Sequence, residues 1–195
     1  MDDIYDMKIV MCRLEKCFEK VNSPYFWHQN ETIFRIEHSV QYAIFLYILS
    51  NELYKAGRIK KAAFVYYLNK IMHSVEWFYA IELPEYFGAE HPLGSVLGKA
   101  VYGNYFFTYQ GVTVGGNRKG EKLYYPVIGD HVTMFSDSKI IGKAHIGDNT
   151  IIAANTYIKD IDIPSNSIVF GQYPNLIIKQ ADEKVKQISA SIWKE

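Results

Sequence analysis

A six-residue period runs through the second half of this chain and constrains its fold more than any other feature of the sequence. Every sixth residue from position 128 is apolar: Ile128, Met134, Ile140, Ile146, Ile152 and Ile158. Four positions after each of the first five stands a small or β-branched residue: Val132, Ser138, Ala144, Thr150 and Thr156. Neither the 3.6-residue period of a helix nor the 2.0-residue period of a strand gives this spacing. Self-similarity at a fixed period is typical of a solenoid.

The repeat predicts a triangular β-helix in which three hexapeptides, about 18 residues, make one coil. The apolar side chain of each hexapeptide fills the interior, and the small residue fits beside it near a corner. A less regular stretch lies upstream at Leu97, Tyr102, Thr108 and Val114, with one residue missing between the first two. The alternative is an ordinary β-sandwich with accidental periodicity, and six apolar residues at six positions argue against it.

Residues 1 to about 80 carry a helical pattern instead. The first predicted helix has this apolar stripe: Val10, Leu14, Cys17, Phe18 and Val21. The break at 22–24 contains Pro24, which cannot donate a backbone hydrogen bond. We expect a second helix from about 38 to 55 and, after Gly57, a third from about 60 to 78.

Composition narrows the class of protein. Lys and Arg number 21 and balance 21 Asp and Glu, which argues against nucleic acid as the main partner because phosphate binding needs a surplus of cations. Cys12 and Cys17 are too few for a disulfide framework, and no histidine spacing indicates a metal site. The apolar run at 42–49 is shorter than the ~20 residues of a membrane span, and the acidic start lacks a signal-peptide pattern. We expect a cytoplasmic protein with no membrane span and no metal.

Together these features resemble the serine O-acetyltransferases, a family of the hexapeptide-repeat acyltransferases. Helices followed by hexapeptides is that family's order, and Gln-Gly-Val-Thr-Val-Gly-Gly at 110–116 is similar to its signature segment. Phe-Gly-Gln-Tyr-Pro at 170–174 resembles the turn that closes its last coil. The expected fold is α+β: an N-terminal helical domain at 1–80, a left-handed parallel β-helix at 81–178 with an extruded loop at 117–126, and a helical tail at 179–195.

Acetyl transfer from acetyl-CoA to a hydroxyl needs a general base, a carboxylate that orients it, and donors for the oxyanion. No nucleophilic side chain is needed, because the acceptor attacks directly. The resemblance implies that His91, in Glu-His-Pro-Leu-Gly at 90–94, is the base. It implies Glu82 as the orienting carboxylate, where the family has aspartate, and Glu90 as a contact to the acceptor. A surface histidine and solvated acids are the alternative interpretation.

The resemblance also implies that acetyl-CoA lies in a groove between neighbouring prisms. It would contact the backbone near Gly115 and Gly116 and, on later coils, near Ala153 and Ala154, where small residues permit close approach. Lys179 would meet the nucleotide phosphates. Corner packing and solvent exposure explain the same residues equally well. A groove between subunits requires an oligomer, and the resemblance implies a homotrimer or a dimer of trimers.

Two departures from the family pattern affect the expected partners. Tyr124 and Tyr125 stand before Pro126 in place of an Arg-His pair that contributes to serine binding. Tyrosines supply no bidentate cation for a carboxylate, so the acceptor is either serine or another small hydroxyl compound, including a sugar of a surface polysaccharide. The sequence does not end in the isoleucine tail that binds cysteine synthase, which puts that complex in doubt. A non-catalytic β-helix scaffold is the hypothesis from another class.

Overall fold

The computed structural model describes residues 2–194, with side chains from Met7 onward. Met1 and Glu195, the first residue of the expected helical domain and the last of the expected tail, lie outside the described residues. The helices are α1 (Asp2–Glu19), α2 (Ser39–Lys55), α3 (Ile59–His73), α4 (Asp182–Ile192) and a 3₁₀ turn at Pro24–Phe26.

The strands are short and follow the hexapeptides. They are β1 (Trp27–His28), β2 (Glu31–Thr32), β3 (Glu76–Trp77), β4 (Phe87–Ala89), β5 (Val96–Leu97), β6 (Val101–Tyr102), β7 (Phe106–Thr108), β8 (Thr113–Gly115), β9 (Asn117–Lys119), β10 (Lys122–Tyr124), β11 (Val127–Ile128), β12 (Val132–Met134), β13 (Lys139–Ile141), β14 (His145–Ile146), β15 (Thr150–Ile152), β16 (Tyr157–Lys159), β17 (Ser167–Gln172) and β18 (Asn175–Gln180).

The helical part packs through α2. The predicted stripe of α1 is buried, as are these residues of α2: Ala43, Ile44, Tyr47 and Ile48. The third helix is shorter than its periodicity predicts, because it ends at His73 rather than near 78. Ser74 adopts a left-handed conformation with φ 55°, which ends a helix. The chain then enters β3, and the indole of the buried Trp77 donates to Ser95 Oγ at 2.8 Å.

The second half is a left-handed β-helix of about five turns with three parallel faces, so the predicted fold class is confirmed. One face contains β4, β7, β12 and β15, another β3, β5, β8, β13 and β16, and the third β6, β11 and β14. Val132 pairs with Thr150 and Lys139 with Tyr157, which gives the predicted 18-residue coil. The six apolar positions are at most 1% exposed, because their side chains fill the prism.

The two irregularities of the repeat have simple structural forms. Leu97 pairs with Val114, so the missing residue makes one coil shorter without displacing the interior positions. The expected loop at 117–126 is an antiparallel hairpin of β9 and β10. Asp160 holds it from the residue after β16, on the same face as β8: its carboxylate accepts from Asn117 Nδ2 at 2.7 Å and lies 3.2 Å from Lys119 Nζ.

The chain turns back at the far end of the β-helix. β17 and β18 form an antiparallel pair, and α4 then runs along the solenoid, where the buried Val185 packs with Ile151 and Ile168. After α4 the chain reaches the end of α1, where the Asn22 amide donates to the Ile192 carbonyl at 2.7 Å. Among residues 2–194, no helix combines the length and the apolar character that crossing a membrane requires.

Candidate active site

A cavity of about 670 Å³ opens where the helical part, the first coils and the end of α4 meet. One wall comes from the turn after α1 and the start of α2, and another from the ends of β4 and β7. Ser191 and Ile192 complete the lining. His91 lies in this cavity together with Glu90, Tyr109 and a second histidine, His38.

His91 occupies a corner of the first coil, directly after β4. Its backbone is left-handed, with φ 49°, a conformation that few residues other than glycine adopt. The corner is held by the Glu90 amide, which donates to the Thr108 carbonyl at 3.0 Å, and by the Leu93 amide, which donates to the His91 carbonyl at 2.8 Å. The imidazole is 75% exposed. A constrained backbone therefore carries a side chain that a bound molecule can reach.

Glu90 is the carboxylate beside this imidazole, with Oε1 3.9 Å from His91 Nε2. Tyr109 lines the cavity beside the same carboxylate. Burial, followed by the charge of Glu90 and hydrogen bonding to it, raises the pKa of Tyr109 to about 12, so the phenol is protonated at neutral pH. No motif in the sequence indicates Tyr109. The signal was the coil register, because Ala89 pairs with Thr108 and the next residues, Glu90 and Tyr109, meet at the corner.

His38 faces the cavity from the start of α2. It caps the helix, with Nδ1 accepting from the Gln41 amide at 3.4 Å, and its ring lies 5.7 Å from the rings of both Tyr25 and Phe26. Burial lowers the pKa of His38, which favours the neutral ring. His38 thus packs against two aromatic rings and also lines the cavity.

Glu82 lies elsewhere. Its Oε2 is 2.8 Å from Lys55 Nζ, and its Oε1 accepts from Asn51 Nδ2 at 3.4 Å. It lines a second cavity of about 380 Å³ that also contains Arg13. Within one chain, Glu82 and His91 therefore line different cavities, and the carboxylate that meets the imidazole is Glu90.

Tyr124 and Tyr125 lie at the base of the β9–β10 hairpin and do not line the His91 cavity. Lys122 Nζ lies 5.1 Å and Lys143 Nζ 6.0 Å from the centre of the Tyr124 ring, and Lys99 Nζ lies 5.0 Å from that of Tyr125. Cation–π attraction favours such placements. The two tyrosine rings are therefore surrounded by lysine side chains on the surface of the solenoid.

The small residues assigned to acetyl-CoA differ in their surroundings. A Cβ added to Gly115 would contact only Ile141 Cδ1, at 3.6 Å, so a ligand can approach this backbone closely. A Cβ on Gly116 would lie 3.0 Å from the Tyr124 carbonyl, so hairpin packing alone requires that glycine. The residues of this set fit a thioester cofactor at Gly115.

The later coils supply the other residues of the set. Ala154 is exposed and Ala153 half-buried. The Ala153 amide donates to the Val169 carbonyl at 3.0 Å, and Lys179, exposed on β18, pairs with the adjacent Ile168. Lys179 therefore lies near the two alanines, where a cation fits a phosphate group. No group of three or more His, Cys, Asp or Glu side chains is placed to hold a metal ion in the part of the chain that the structure describes.

Comparison with known proteins gives one consistent result. The family model for the bacterial transferase hexapeptide, six repeats, matches residues 125–160. A serine acetyltransferase of Staphylococcus epidermidis is 30% identical over 145 residues, which are 74% of this chain and 67% of that protein. A crystal structure of the Neisseria gonorrhoeae serine acetyltransferase superposes with a TM-score of 0.69 and 25% identity, over 92% of this chain and 67% of that one. A crystal structure of that enzyme in complex with serine gives a TM-score of 0.64 and 28% identity, over 87% and 68%.

Proposed function

The chain belongs to the serine acetyltransferase family, and from that premise we propose that it transfers an acetyl group from acetyl-CoA to the hydroxyl of a small acceptor bound beside His91. It is an acyltransferase of the serine acetyltransferase type. The observation that carries the proposal is the exposed imidazole of His91 at the cavity, with Glu90 Oε1 3.9 Å from its Nε2.

In the proposed reaction His91 acts as the general base. The ring nitrogen of His91 that does not face Glu90 takes the proton of the acceptor hydroxyl as the hydroxyl oxygen bonds to the acetyl carbon; the C–S bond breaks, and the imidazolium returns the proton to the departing thiolate. A neutral imidazole suits this role near neutral pH. Acetyl-CoA, when bound, supplies an activated acyl carbonyl. Glu90 stabilises the imidazolium that forms, as a carboxylate near a catalytic histidine does. Tyr109 holds Glu90 in place by donating its phenolic hydrogen to that carboxylate.

Glu82 and Glu90 are both candidates for the carboxylate that orients the base. Glu90 is favoured because it already faces His91 Nε2. Glu82 would have to leave Lys55, from whose Nζ it lies 2.8 Å. If Glu82 were the orienting carboxylate, Glu90 would contact the acceptor, which is the role that the family resemblance implies for Glu90.

The acceptor is a small hydroxyl compound, and two classes compete. A relative from Neisseria gonorrhoeae binds serine in its crystal structure, which favours serine. Tyr124 and Tyr125 do not line the His91 cavity of their own chain, so we propose that they reach an acceptor from a neighbouring subunit of the assembly. There they favour a neutral hydroxyl such as that of a sugar, because aromatic rings pack well against sugar faces and provide no forked cation for a carboxylate. We propose that the neutral acceptor is preferred.

The proposed acetyl-CoA groove lies between solenoids and involves Gly115, Gly116, Ala153, Ala154 and Lys179. Such a groove requires an oligomer, and the arrangement that we propose is the one implied by the family, a homotrimer, alone or as a dimer of trimers. Exposed apolar side chains support such contacts. Val101 and Val127 pair across β6 and β11 and are 61% and 39% exposed, an arrangement that burial against another chain would stabilise.

A complex with cysteine synthase is not part of the proposal. Ile192 and Trp193 are 8% and 4% exposed, because they pack against their own chain. Inserting them into another protein would first require their release.

An acceptor screen tests the proposed function. Purified protein is incubated with acetyl-CoA and a panel of hydroxyl compounds, and release of free thiol is followed. Turnover that depends on one acceptor supports the proposal. Absence of turnover with every acceptor would favour the non-catalytic scaffold.

A further inference from the structure

The last two residues of α4 and the two residues that follow it, 191–194, form a strap across the helical part and the solenoid. The Asn22 amide donates to the Ile192 carbonyl at 2.7 Å, and the Lys194 amide donates to the Lys20 carbonyl at 2.7 Å. Val21 and Trp193 form an antiparallel bridge. The strap is therefore paired, backbone to backbone, with the end of α1 and the turn that follows it.

Trp193 anchors the strap on the first coils. Its ring is 4% exposed and lies edge-on to Tyr105 and Phe107, with centroids 5.5 and 5.7 Å away. A Cβ on Gly88 would lie 3.3 Å from the indole and 2.7 Å from Phe107, so glycine at 88 leaves room for the ring. The buried Trp193 Nε1 has no hydrogen-bond partner among residues 2–194. Ring packing therefore holds Trp193 in place.

The strap borders the His91 cavity on one side and packs against β4, the strand that precedes His91, on the other. Ser191 and Ile192 line the cavity, as does the segment 21–26 to which the strap is paired. Gly88, beneath Trp193, belongs to β4 and stands three positions before His91. One indole ring thus fixes the distance between the wall of the cavity and the strand that carries the proposed base.

Two further contacts secure the ends of the strap. Asn22 Nδ2 donates to the Ala190 carbonyl at 3.1 Å, and Lys194 Nζ lies 3.2 Å from the centre of the Trp27 ring. Residues 190–194 therefore contact the segment 20–27 at both of its ends: at Lys20, Val21 and Asn22, and at Trp27.

From these contacts we propose that Trp193 is a positioning residue for the acceptor: through residues 191–194 it holds the cavity wall at 21–26 against His91. The inference rests on the proposed function, because it assumes that the acceptor binds in this cavity. Acetyl-CoA is assigned to Gly115 and the later coils, away from the strap. Loosening the strap therefore weakens the binding of the acceptor and leaves the binding of acetyl-CoA unchanged.

The experiment compares Trp193→Ala with Trp193→Phe in the full chain, using the acceptor that the screen identifies. We expect Trp193→Ala to raise the acceptor KM about tenfold or more, because a displacement of about 1 Å at a site has effects of this size. The KM for acetyl-CoA stays within about twofold. Trp193→Phe restores most of the acceptor affinity, because it keeps an aromatic ring and loses a nitrogen that has no partner. Ile158→Ala, which empties part of the solenoid interior, is the control for lost stability.

Hydrogen exchange supplies the second measurement. Trp193→Ala is expected to speed amide exchange in 20–26, whereas Ile158→Ala leaves that segment protected at a temperature where both variants are folded.

An unchanged acceptor KM in Trp193→Ala overturns the proposal. Equal increases in the KM for acceptor and acetyl-CoA overturn it too, because they indicate general damage. If the wild-type protein acetylates nothing, the proposed function itself fails and the positioning role falls with it, a result distinct from active enzyme with an unaltered KM.

Discussion

Glu90 faces the imidazole of His91, with Oε1 3.9 Å from Nε2, and Tyr109 lines the same cavity beside this carboxylate. The three residues come from two successive coils and meet only because the coils stack in register. The phenol keeps its proton at neutral pH, since burial and the neighbouring carboxylate raise the pKa of Tyr109 to about 12. In the proposed mechanism this arrangement would supply a base, a charge that stabilises the protonated base, and a phenol that positions the charged group.

Replacing the proposed base should abolish most of the activity. His91→Ala is expected to lower kcat by roughly a hundredfold or more, the usual contribution of a general base, and to leave acetyl-CoA binding nearly intact. His145→Ala, at an exposed position on β14, is the matched control. Steady-state kinetics and acetyl-CoA titration measure both effects. Unchanged turnover in His91→Ala would remove this histidine from the mechanism.

The two candidate carboxylates can be separated by isosteric substitution. Glu90→Gln is expected to lower kcat at least about tenfold, because it removes the charge that stabilises the imidazolium. Glu82→Gln breaks an ion pair with Lys55 that is largely exposed, and such pairs contribute only about 0–1 kcal/mol to stability. Its kcat should therefore stay close to that of the wild type. The opposite order of effects would assign the orienting role to Glu82.

The acceptor preference depends on the residues before Pro126. Losing a charge-assisted contact costs roughly 1.5–3 kcal/mol, about ten- to a hundredfold in kcat/KM. Serine is therefore expected to be a poorer substrate than a neutral hydroxyl compound. The double variant Tyr124→Arg, Tyr125→His should raise kcat/KM for serine and lower it for the sugar. Kinetics with serine, sugars and sugar nucleotides measure this, and a wild-type preference for serine over every other acceptor would contradict it.

Assembly is tested by mass in solution. Light scattering or sedimentation should give a multiple of three chains, since the proposed cofactor groove lies between subunits. Val127→Lys places a charge on the exposed apolar pair of β6 and β11 and is expected to weaken the assembly, whereas Val127→Thr keeps the shape of the side chain. A monomeric wild-type protein at assay concentration would contradict a cofactor site between subunits.

Stability should fall in mild acid. Burial lowers the pKa of His38, His73 and His131 below 6.5, so the unfolded chain binds protons more readily than the folded one. The free energy of unfolding is then highest above pH 6.5 and decreases as the pH falls through that value toward the lower folded-state pKa values. Thermal melts between about pH 7.5 and pH 5 measure this.

His131→Asn isolates one of these histidines. Asparagine accepts the left-handed backbone of position 131, φ 55°, better than most residues do. The variant loses the stacking of His131 on Tyr105, at 4.2 Å between centroids, so its melting temperature is lower throughout. When the pH is lowered from 7 to 5, the melting temperature of the variant should nevertheless fall by less than that of the wild type. An equally steep decrease would show that His131 does not contribute to it.

Much of the fold follows from local sequence. Each interior position of the solenoid, such as Ile140 or Ile152, is defined by a spacing of six and by the need to bury an apolar side chain. That requirement repeats identically in every coil, so it is visible without any knowledge of distant contacts. The end of α3 was not visible in this way, because the apolar residues after His73 belong to the solenoid and continue a helical pattern by coincidence.

The candidate site depends on both the local sequence and the tertiary structure. The sequence alone indicated His91 and Glu90, since they stand together in one short motif. Tyr109, the separation of Glu82 from His91, and the anchoring of the cavity wall by Trp193 were decided by the tertiary structure. The physical reason is that these relationships join residues far apart in the chain, and their distances are set by how coils stack and where α4 returns. Periodicity determines which side chains face inward, whereas coil register and the path of the returning chain determine which of them meet.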